Sequence, residues 1–543
     1  MLTYAWCNGT HRGNLPRPYH VILGSILLAA AIGLYYGWRL FWFLTDDAFI
    51  AFRYVSNSIL GFGYTWNLPP FRPVEGYTSF LWVLLLDVVW RATGIQPPDS
   101  ANVLALIFAY GTTLLGVVMV LRMRLTPALQ RVRLPLLALV LLGILTNRTY
   151  LAWTSSGLET AMFNFFVTAW VYSSLFLAPD TSRWLGWMVV TAVLTGLTRP
   201  DGILFIVATL FLGILHLFGN YRAGRFRWRL LAPFVPFLGT VAHFLWRKHT
   251  YGEWLPNTHF AKYVAPWPES GIRYLLSFVI EYALWFWLAL FLVFLAVCLH
   301  GLLRHNSLLS AIAVWLRRPR PIKPIVVLTV VGVLTAHFGY YTFIIGGDLF
   351  EYRVYSHLVL LVFVSAVWML DRLRTNPLRA LVFLGVFILC TLPIQWVHWA
   401  ATRDLYSRHD TYLMRVPIAD RFPGLVRPYV QVFDSLQNWL IGHCVGNRHQ
   451  ESKAFYLYQI NYYPPRSRSL LLSESGGLVL VAGAAGVPVW ALPTTNVIDW
   501  YGLNDYVIAR NPVDPSRIRR MAHDRYPPVG YVQCFQPNLK LVA

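Results

Sequence analysis

The sequence HVILGSILLAAAIGLYYGWRLFWFL, from His20 to Leu44, is followed directly by TDDAFIAFRY, from Thr45 to Tyr54. The first part is apolar over more than the about 20 residues that an α-helix needs to cross a membrane. It is too long for the core of a signal peptide and has no small-residue cleavage site after it, so we interpret it as a retained first helix. Two adjacent aspartates, Asp46 and Asp47, therefore stand where the chain leaves the membrane.

The composition of the whole chain agrees with this interpretation. Of its 543 residues, 57% are hydrophobic and 13% are charged, and the mean hydropathy is +0.50. A soluble protein carries roughly 25% charged residues, so a soluble domain or a disordered chain is disfavoured. The net charge of +21 is expected in loops beside the membrane rather than on a nucleic-acid surface, and we expect membrane lipids and no nucleic acid as partners.

Further apolar runs of spanning length follow the first helix. They cover residues 101–121, 134–147, 158–178, 184–198, 202–219, 230–246, 274–303, 324–345, 354–371 and 380–399. One shorter run, Tyr77–Val89, contains Asp87 and is ambiguous.

Arginine and lysine in the loops decide the ambiguous run, because cytoplasmic loops are enriched in these residues. Basic residues precede the first helix and cluster after four later spans; they are Arg12, Arg17, Arg122, Arg124, Arg131, Arg133, Arg222, Arg225, Arg227, Arg229, Arg304, Arg317, Arg318, Arg320, Lys323, Arg372, Arg374 and Arg379. They share one side only if Tyr77–Val89 does not cross. We therefore predict an α-helical polytopic membrane protein with about eleven transmembrane helices, a cytoplasmic N-terminus and horizontal helices in an outer loop over residues 45–100.

The composition changes after Ala400. Residues 401–543 contain no spanning run, and alternating stretches such as Leu478–Ala482 and Val487–Leu492 are typical of strands. We predict a transmembrane part over residues 1–400 and a mixed α/β extracytoplasmic domain over residues 401–543. No cysteine spacing indicates a zinc site, but Cys444 and Cys534 would pair if this domain lies in an oxidising compartment.

Charged residues beside apolar spans are costly and are therefore candidates for function. Most of them fall at the predicted outer ends of the spans, whereas a transporter would be expected to place its polar site near the middle of the bilayer. Glu281 is the main exception, because it lies within a predicted span. This distribution favours a catalytic face that opens to the outside of the membrane.

Several short motifs carry these outer charges. After Asp46-Asp47 come Pro73-Val74-Glu75-Gly76-Tyr77-Thr78, Gly157-Leu158-Glu159-Thr160, Arg199-Pro200-Asp201-Gly202, Pro256-Asn257-Thr258 with Lys262, Gly346-Gly347-Asp348 with Arg353, and Asp499-Trp500-Tyr501-Gly502-Leu503-Asn504-Asp505. Through these motifs the chain resembles the GT-C class of integral membrane glycosyltransferases, and within it the relatives of the mycobacterial terminal arabinofuranosyltransferase family. The resemblance implies transfer of a sugar, arabinofuranose in that family, from a polyprenyl-phosphate donor to a glycan or other acceptor hydroxyl in the cell envelope.

Such a transfer needs a base for the acceptor hydroxyl, groups that position the sugar, and positive charge for the departing phosphate. The resemblance points to Asp46 or Asp47 as the base, and we prefer Asp47. No cofactor is required by this chemistry; a divalent metal, if one is bound, is expected at Asp46 and Asp47.

We predict three cations as ligands of the donor phosphate: Arg353, Arg53 and Lys262. Arg53 lies six residues after Asp47 and would reach the same site if the segment is helical; its alternative role is an anchor at lipid headgroups. Arg353 follows the Gly-Gly-Asp turn and has no obvious acidic neighbour in sequence. Its fork of donors suits phosphate oxygens.

A further set of polar residues is predicted to bind the sugar or the acceptor. Glu75 and Glu159 would bind sugar hydroxyls or cap helices, and Arg199 with Asp201 would bind sugar or form a structural ion pair. The remaining members are Asn257 and Asp348. Two other functional classes compete with the transferase: a flippase or transporter of a lipid-linked saccharide, and a non-catalytic scaffold.

Overall fold

The computed structural model describes residues 17–178, 181–304, 322–470 and 477–539. The longer α-helices in these ranges are Arg17–Leu40, Asp46–Ile59, Phe80–Thr93, Pro97–Arg122, Arg133–Leu145, Thr160–Phe176, Ser182–Thr198, Ile203–Arg222, Phe237–Tyr251, Pro268–Glu281, Trp285–Arg304, Ile322–Gly339, Leu358–Arg372, Pro377–Thr402, Arg427–Gly442 and His449–Tyr462. Short α-helices are Pro127–Gln130, Arg148–Trp153, Asn257–Lys262, Arg408–Thr411, Arg466–Ser469 and Val487–Ala491. Two strands, β1 (Val479–Ala482) and β2 (Asn496–Asp499), complete the regular structure.

Single turns of other helix types join several of these elements. The 3₁₀ turns are Pro200–Gly202, Trp228–Phe234, Arg353–Tyr355, Ala419–Arg421, Ile508–Arg510 and Val532–Phe535, and Tyr340–Ile345 is a π-helical turn.

Within the described residues, six helices are long and apolar enough to cross a membrane, or up to eight if each of two bent helix pairs is one span. The six are Pro18–Leu40, Pro97–Arg122, Pro200–Arg222, Lys323–Ile345, Arg353–Arg372 and Pro377–Thr402, and each coincides with a predicted span. The chain is thus a multi-pass membrane protein, but the count of eleven is not confirmed. Three predicted spans form shorter helices of 13, 17 and 17 residues.

The predicted span over residues 274–303 is wrong as a single straight helix. Two helices, Pro268–Glu281 and Trp285–Gly301, meet there at 96°. Ala283 lies at the break with φ +45, a left-handed conformation that ends a regular helix. Glu281 therefore ends the first helix of this bent pair, where it contacts Arg448 of the C-terminal segment.

The ambiguous run around Tyr77–Val89 forms the helix Phe80–Thr93, with 14 residues. At 1.5 Å per residue it is about 21 Å long, which is shorter than the about 30 Å hydrocarbon core of a membrane. It packs against the helix Asp46–Ile59, which we call the Asp-Asp helix. Asp87 on its buried side pairs with Arg91 at 3.0 Å.

The C-terminal residues form a layer over the Asp-Asp helix. β1 and β2 are parallel, from the pair Val479–Asn496 to the pair Ala482–Asp499. The helix Val487–Ala491 joins them, so the strand predicted at Val487–Leu492 is wrong and the one at Leu478–Ala482 is confirmed. Phe49, Phe52 and Trp82 of the first loop share one hydrophobic core with C-terminal residues, which include Leu480, Val489, Trp490 and Val497.

This shared core couples residues after 400 to the first loop, and the division of the chain into two domains at residue 400 stays a prediction. Cys444 and Cys534, whose pairing the sequence left open, are both free, the first buried and the second exposed. Of the predicted cytoplasmic charges, Arg12, Arg317, Arg318 and Arg320 lie outside the described residues.

Candidate active site

The Asp-Asp helix begins with a side-chain cap. The hydroxyl of Thr45 accepts a hydrogen bond from the N–H of Ala48 at 3.1 Å, as threonine commonly does at this position. Asp46 and Asp47 occupy the first turn, where the partial positive charge of the helix N-terminus favours carboxylates. Because successive residues turn by about 100° around a helix, the two carboxylates face different surroundings.

The carboxylate of Asp46 is tied to the C-terminal segment. It accepts hydrogen bonds from the N–H groups of Gly486 at 3.1 Å and Val487 at 2.8 Å. Removal from water raises the pKa of Asp46 to about 7; the bond from Val487 opposes this rise and the charge of Asp47 adds to it. A Cβ atom on Gly486 would lie 1.8 Å from the carbonyl oxygen of Asp46, so this close approach requires glycine.

Asp47 lies at the junction of two cavities. The first cavity has a volume of about 250 Å³ and the second a volume of about 360 Å³. Both are lined by Asp47, and they also share Ile50, Lys262, Leu349, Leu503 and Ala522. Asp47 is half-buried, and within the described residues its carboxylate has no hydrogen-bond or ion-pair partner. It is therefore available to a molecule that enters either cavity.

One wall of the first cavity is a cluster of charged side chains around Arg199. Arg199 donates to Glu159 at 2.8 Å, to Asp201 at 3.1 Å and to the hydroxyl of Tyr341 at 2.8 Å. Asp201 also lies 2.8 Å from Nε2 of His337. Arg199 and Asp201 thus form the ion pair that was predicted as their alternative role, and both residues line the first cavity.

A second pair of charges stands beside this cluster. Arg353 binds Asp348 through two donors, with Nε–Oδ2 at 2.8 Å and Nη2–Oδ1 at 3.2 Å. The expectation that Arg353 has no acidic neighbour is therefore wrong. Both residues line the first cavity, and Nη1 of Arg353 has no hydrogen bond to any described residue. Gly346 and Gly347 before them have φ of +91 and +106, a conformation for which glycine is suited.

Lys262 ends the short helix Asn257–Lys262 and projects into the space between the cavities. Its side chain is exposed and lines both of them. No carboxylate pairs with it among the described residues, so its charge is available to an anion. Arg519, which the sequence did not single out, also lines the first cavity and stacks over Trp267 at 4.3 Å.

The second cavity is built mostly by C-terminal residues. Asp499, at the end of β2, accepts hydrogen bonds from Asn504 and has a pKa that removal from water raises to about 6. Glu451 pairs with Arg408 at 3.4 Å across another wall. Arg520 and His523 also belong to the polar lining, and the aromatic members are Phe350, Tyr412, Phe455 and Tyr501. Asp499 stood in a quoted motif, whereas Arg520 and His523 have no recognisable sequence signal.

Arg53 does not line either cavity, and its predicted role toward phosphate is wrong. It is fully buried and donates to the carbonyl oxygens of Trp66, Val489, Leu492, Pro493 and Thr495 at 2.5–3.4 Å. Six residues after Asp47 correspond to roughly 240° around the helix, so Arg53 faces away from Asp47. It joins the Asp-Asp helix to the C-terminal layer.

Glu75 and Asn257 are also structural rather than ligand-binding residues. Glu75 is buried and pairs with Arg247, with Nε–Oε2 at 2.6 Å. The side chain of Asn257 donates to the carbonyl oxygens of Gly502, Leu503 and Asp505 at 2.9–3.0 Å and accepts from Arg510 at 2.8 Å. Neither residue lines the cavities, although their neighbours Gly76 and Thr258 do.

Asp46 and Asp47 are the position expected for a divalent metal, if one is bound. Among the described residues, no group of three or more His, Cys, Asp or Glu side chains is arranged to hold a metal ion. Both oxygens of Asp46 already accept backbone N–H groups. The arrangement at Asp46 and Asp47 therefore does not fit a metal site built from protein side chains.

Glu281, Glu351, Arg148 and Arg448 form a buried charge quartet behind the cavities. Arg448 donates twice to Glu281 at 2.8 Å and lies 2.7 Å from Glu351, and Arg148 lies 2.5 Å from Glu351. Backbone hydrogen bonds also join this loop to the C-terminal segment. The N–H groups of Gly446 and Asn447 donate to the carbonyl oxygens of Asp348 and Leu349, each at 2.8 Å. The quartet thus fixes the loop that carries Asp348 and Arg353 to the C-terminal layer.

Comparison with known proteins adds one structural similarity. No protein-family model matches the sequence, and no curated protein matches it. The crystal structure of ArnT from Cupriavidus metallidurans bound to undecaprenyl phosphate aligns with 89% of this chain and 86% of its own, at 11% sequence identity and a TM-score of 0.48.

Proposed function

We propose that this chain is a membrane glycosyltransferase that moves a sugar, arabinofuranose, from a polyprenyl phosphate to a hydroxyl group of an extracytoplasmic glycan. The observation that carries the proposal is the position of Asp47. Its unpaired carboxylate lies where two cavities meet, with Lys262 and Arg353 nearby on their walls. A transferase needs a base between a donor and an acceptor, and cations near the donor.

The reaction uses these groups as follows. The acceptor oxygen forms a bond to the anomeric carbon of the sugar while the bond from that carbon to the phosphate oxygen breaks. The electron pair of the broken bond leaves with the polyprenyl phosphate. Asp47 takes the proton from the acceptor hydroxyl and later releases it to water. No general acid is required, because a phosphate leaving group is only weakly basic.

The first cavity suits the lipid-borne donor. Pro200, Asp201, Tyr340, Ile345 and Arg353 on its walls belong to helices that are candidate membrane spans. A substrate anchored by a long apolar chain can reach such a cavity without leaving the bilayer. The walls combine carboxylates that accept from sugar hydroxyls with cations that hold phosphate.

Within this cavity, the role of each charged side chain follows from the hydrogen-bond donors or acceptors that its described protein contacts leave available. Arg353 with its unbonded Nη1, together with Lys262, binds the phosphate. Glu159 uses one carboxylate oxygen in its ion pair with Arg199 and offers the other to sugar hydroxyls. Both oxygens of Asp348 bond to Arg353, and their remaining lone pairs accept from sugar hydroxyls. Arg199 and Asp201 hold Glu159 and Tyr341 in place rather than binding phosphate themselves.

The basic loop residues support the orientation in the membrane. We propose that the N-terminus is cytoplasmic and that the active site and residues 401–543 are extracytoplasmic, because the basic clusters lie on the opposite side from Asp47 under this topology. A cysteine introduced near Asn376 should resist an impermeant thiol reagent in whole cells, and one near Asp505 should react with it. The opposite labelling pattern would contradict the topology.

Release of polyprenyl phosphate tests the activity. Purified protein with radiolabelled polyprenyl-phosphate arabinofuranose and an arabinofuranoside acceptor should release free polyprenyl phosphate, and Asp47→Asn should not. Asp404→Asn is the matched control, since Asp404 is exposed and lines neither cavity. A flippase would instead move the intact donor across proteoliposomes without breaking its glycosidic bond, and that result would overturn the proposal.

A further inference from the structure

The second cavity differs from the first in the origin of its walls. None of its described lining residues belongs to a candidate membrane span; they come from the Asp-Asp helix, the helix Asn257–Lys262, the loop at 349–350 and C-terminal segments. A molecule can therefore enter it from water. Because it meets the donor cavity at Asp47, a hydroxyl group bound there would reach the proposed base.

His523 is the residue of this cavity whose hydrogen-bonding capacity is best defined. Its Nδ1 lies 2.7 Å from the carbonyl oxygen of Met521. Since a carbonyl oxygen only accepts, Nδ1 carries the proton of the neutral ring, and Nε2 is left as an acceptor. No described residue donates to Nε2, and the half-buried ring lines the second cavity beside Asp47 and Lys262.

The surroundings hold this ring in one orientation. Tyr501 packs against it edge to face, with ring centroids 4.5 Å apart. The backbone N–H of Met521 donates to the carbonyl oxygen of His443 at 2.9 Å, which fixes the segment before it. Burial lowers the pKa of His523, so the ring is neutral and remains an acceptor at neutral pH. A fixed acceptor on the wall of this cavity suits a hydroxyl donor.

The geometry points to the second cavity as the acceptor site for a sugar with two adjacent hydroxyl groups, one donating to Asp47 and the other to Nε2 of His523. This inference rests on the proposed glycosyltransferase function. The hydroxyl at Asp47 attacks the donor, and the hydroxyl at His523 fixes which of the two is presented. Tyr412, Phe455 and Tyr501 supply flat apolar surface for the ring of the sugar.

A pair of acceptors tests the inference: octyl arabinofuranoside and its deoxy analogue that lacks the hydroxyl next to the attacking one. Wild-type protein should use the diol with a kcat/KM about 10–100-fold above that of the deoxy analogue, because an unmet polar group in a site is costly. In His523→Ala the kcat/KM for the diol should fall to that for the deoxy analogue, so the discrimination is lost. The KM for the acceptor should rise, and the KM for the donor should stay unchanged. His523→Gln, whose amide oxygen can accept at the Nε2 position, should restore part of it.

His409→Ala is the control, because His409 is exposed and does not line the second cavity. Equal discrimination by wild-type protein and His523→Ala, with transfer intact, would overturn the acceptor assignment and leave the proposed function standing. Failure of wild-type protein to release polyprenyl phosphate with any acceptor would overturn both. If His523→Ala does not fold, as judged by its melting profile, the same comparison with His523→Gln decides: unchanged discrimination and unchanged acceptor KM would contradict the inference.

Discussion

Asp46 and Asp47 are adjacent in sequence, yet the Asp46 carboxylate accepts two backbone N–H groups of the C-terminal layer while the Asp47 carboxylate faces the junction of two cavities. The two aspartates therefore have different roles. Asp46 holds the C-terminal layer against the start of the Asp-Asp helix, and Asp47 remains available to substrate. Their variants should consequently fail in different ways.

Asp47→Asn should abolish transfer while the protein keeps its melting temperature. Loss of a general base typically lowers the rate by about 10²–10⁴-fold. Asp46→Asn should lower the melting temperature, because its amide oxygen can accept one of the two N–H groups, whereas the amide nitrogen that replaces the other oxygen cannot accept the second. Single-turnover rates and melting temperatures of both variants in detergent check this division. Near-normal turnover of Asp47→Asn would contradict the assignment of the base.

The stability of the protein should fall as the pH rises from about 4 toward 7. The pKa of Asp46 is raised from 3.8 to about 7 and that of Asp499 to about 6, each mainly by removal of the carboxylate from water. Between the ordinary and the raised pKa, the folded protein binds more protons than the unfolded chain, so a rising pH favours unfolding. The stabilisation from Asp46 and Asp499 is complete below the ordinary pKa of an aspartate, and it is lost as the pH rises through the raised pKa of each group.

Melting temperatures measured in steps from pH 4 to pH 8 test this expectation. The melting temperature of Asp46→Asn should decline less with rising pH than that of wild-type protein. The remaining decline should end near pH 6, at the raised pKa of Asp499. A decline of the same size in both proteins would assign the effect to other groups.

Arg353 and Arg53 should separate donor binding from stability. Arg353→Ala should weaken binding of the polyprenyl-phosphate sugar, and Arg353→Lys should restore it only in part, because lysine cannot reproduce the two-donor contact with Asp348. Arg53→Ala should lower the melting temperature, since it leaves several buried carbonyl groups without a donor. Equilibrium binding of the donor and thermal unfolding measure the two effects, with exposed Arg468→Ala as the control. Wild-type donor affinity in Arg353→Ala would place the phosphate elsewhere.

The buried charge quartet should be far more sensitive to substitution than exposed ion pairs. Arg448→Ala leaves Glu281 and Glu351 buried with less compensation, and breaking such a pair typically costs about 3–5 kcal/mol. Arg403→Ala removes a pair with Asp404 that is mostly exposed, and such pairs contribute about 0–1 kcal/mol. Unfolding in denaturant with both variants measures the difference. Similar stabilities would show that the quartet contributes little to holding the loop at Asp348.

The sequence predicted the parts of this site that depend on local pattern. Asp47, Lys262 and Arg353 were found because they stand beside apolar runs or sharp turns. Arg53 lies on the same helix as Asp47, as predicted, but about 240° around it, so it meets carbonyl groups of the C-terminal layer instead of the cavities. The partners of Glu75 and Asn257 lie 172 and 253 positions away in the chain, at Arg247 and Arg510. Contacts of this range leave no local signal. His523 leaves none either, because its role depends on a cavity that many separate segments of the chain form.

The contact between Asp46 and Gly486 joins residues 440 positions apart. A ribosome that has just completed the Asp-Asp helix must therefore synthesise most of the protein before that helix can be covered. During this time the apolar face with Phe49 and Phe52 lacks its partners Val489 and Trp490, and exposed apolar surface of this kind attracts chaperones and proteases. A prematurely terminated chain would keep this apolar face uncovered and would lack the C-terminal walls of the second cavity.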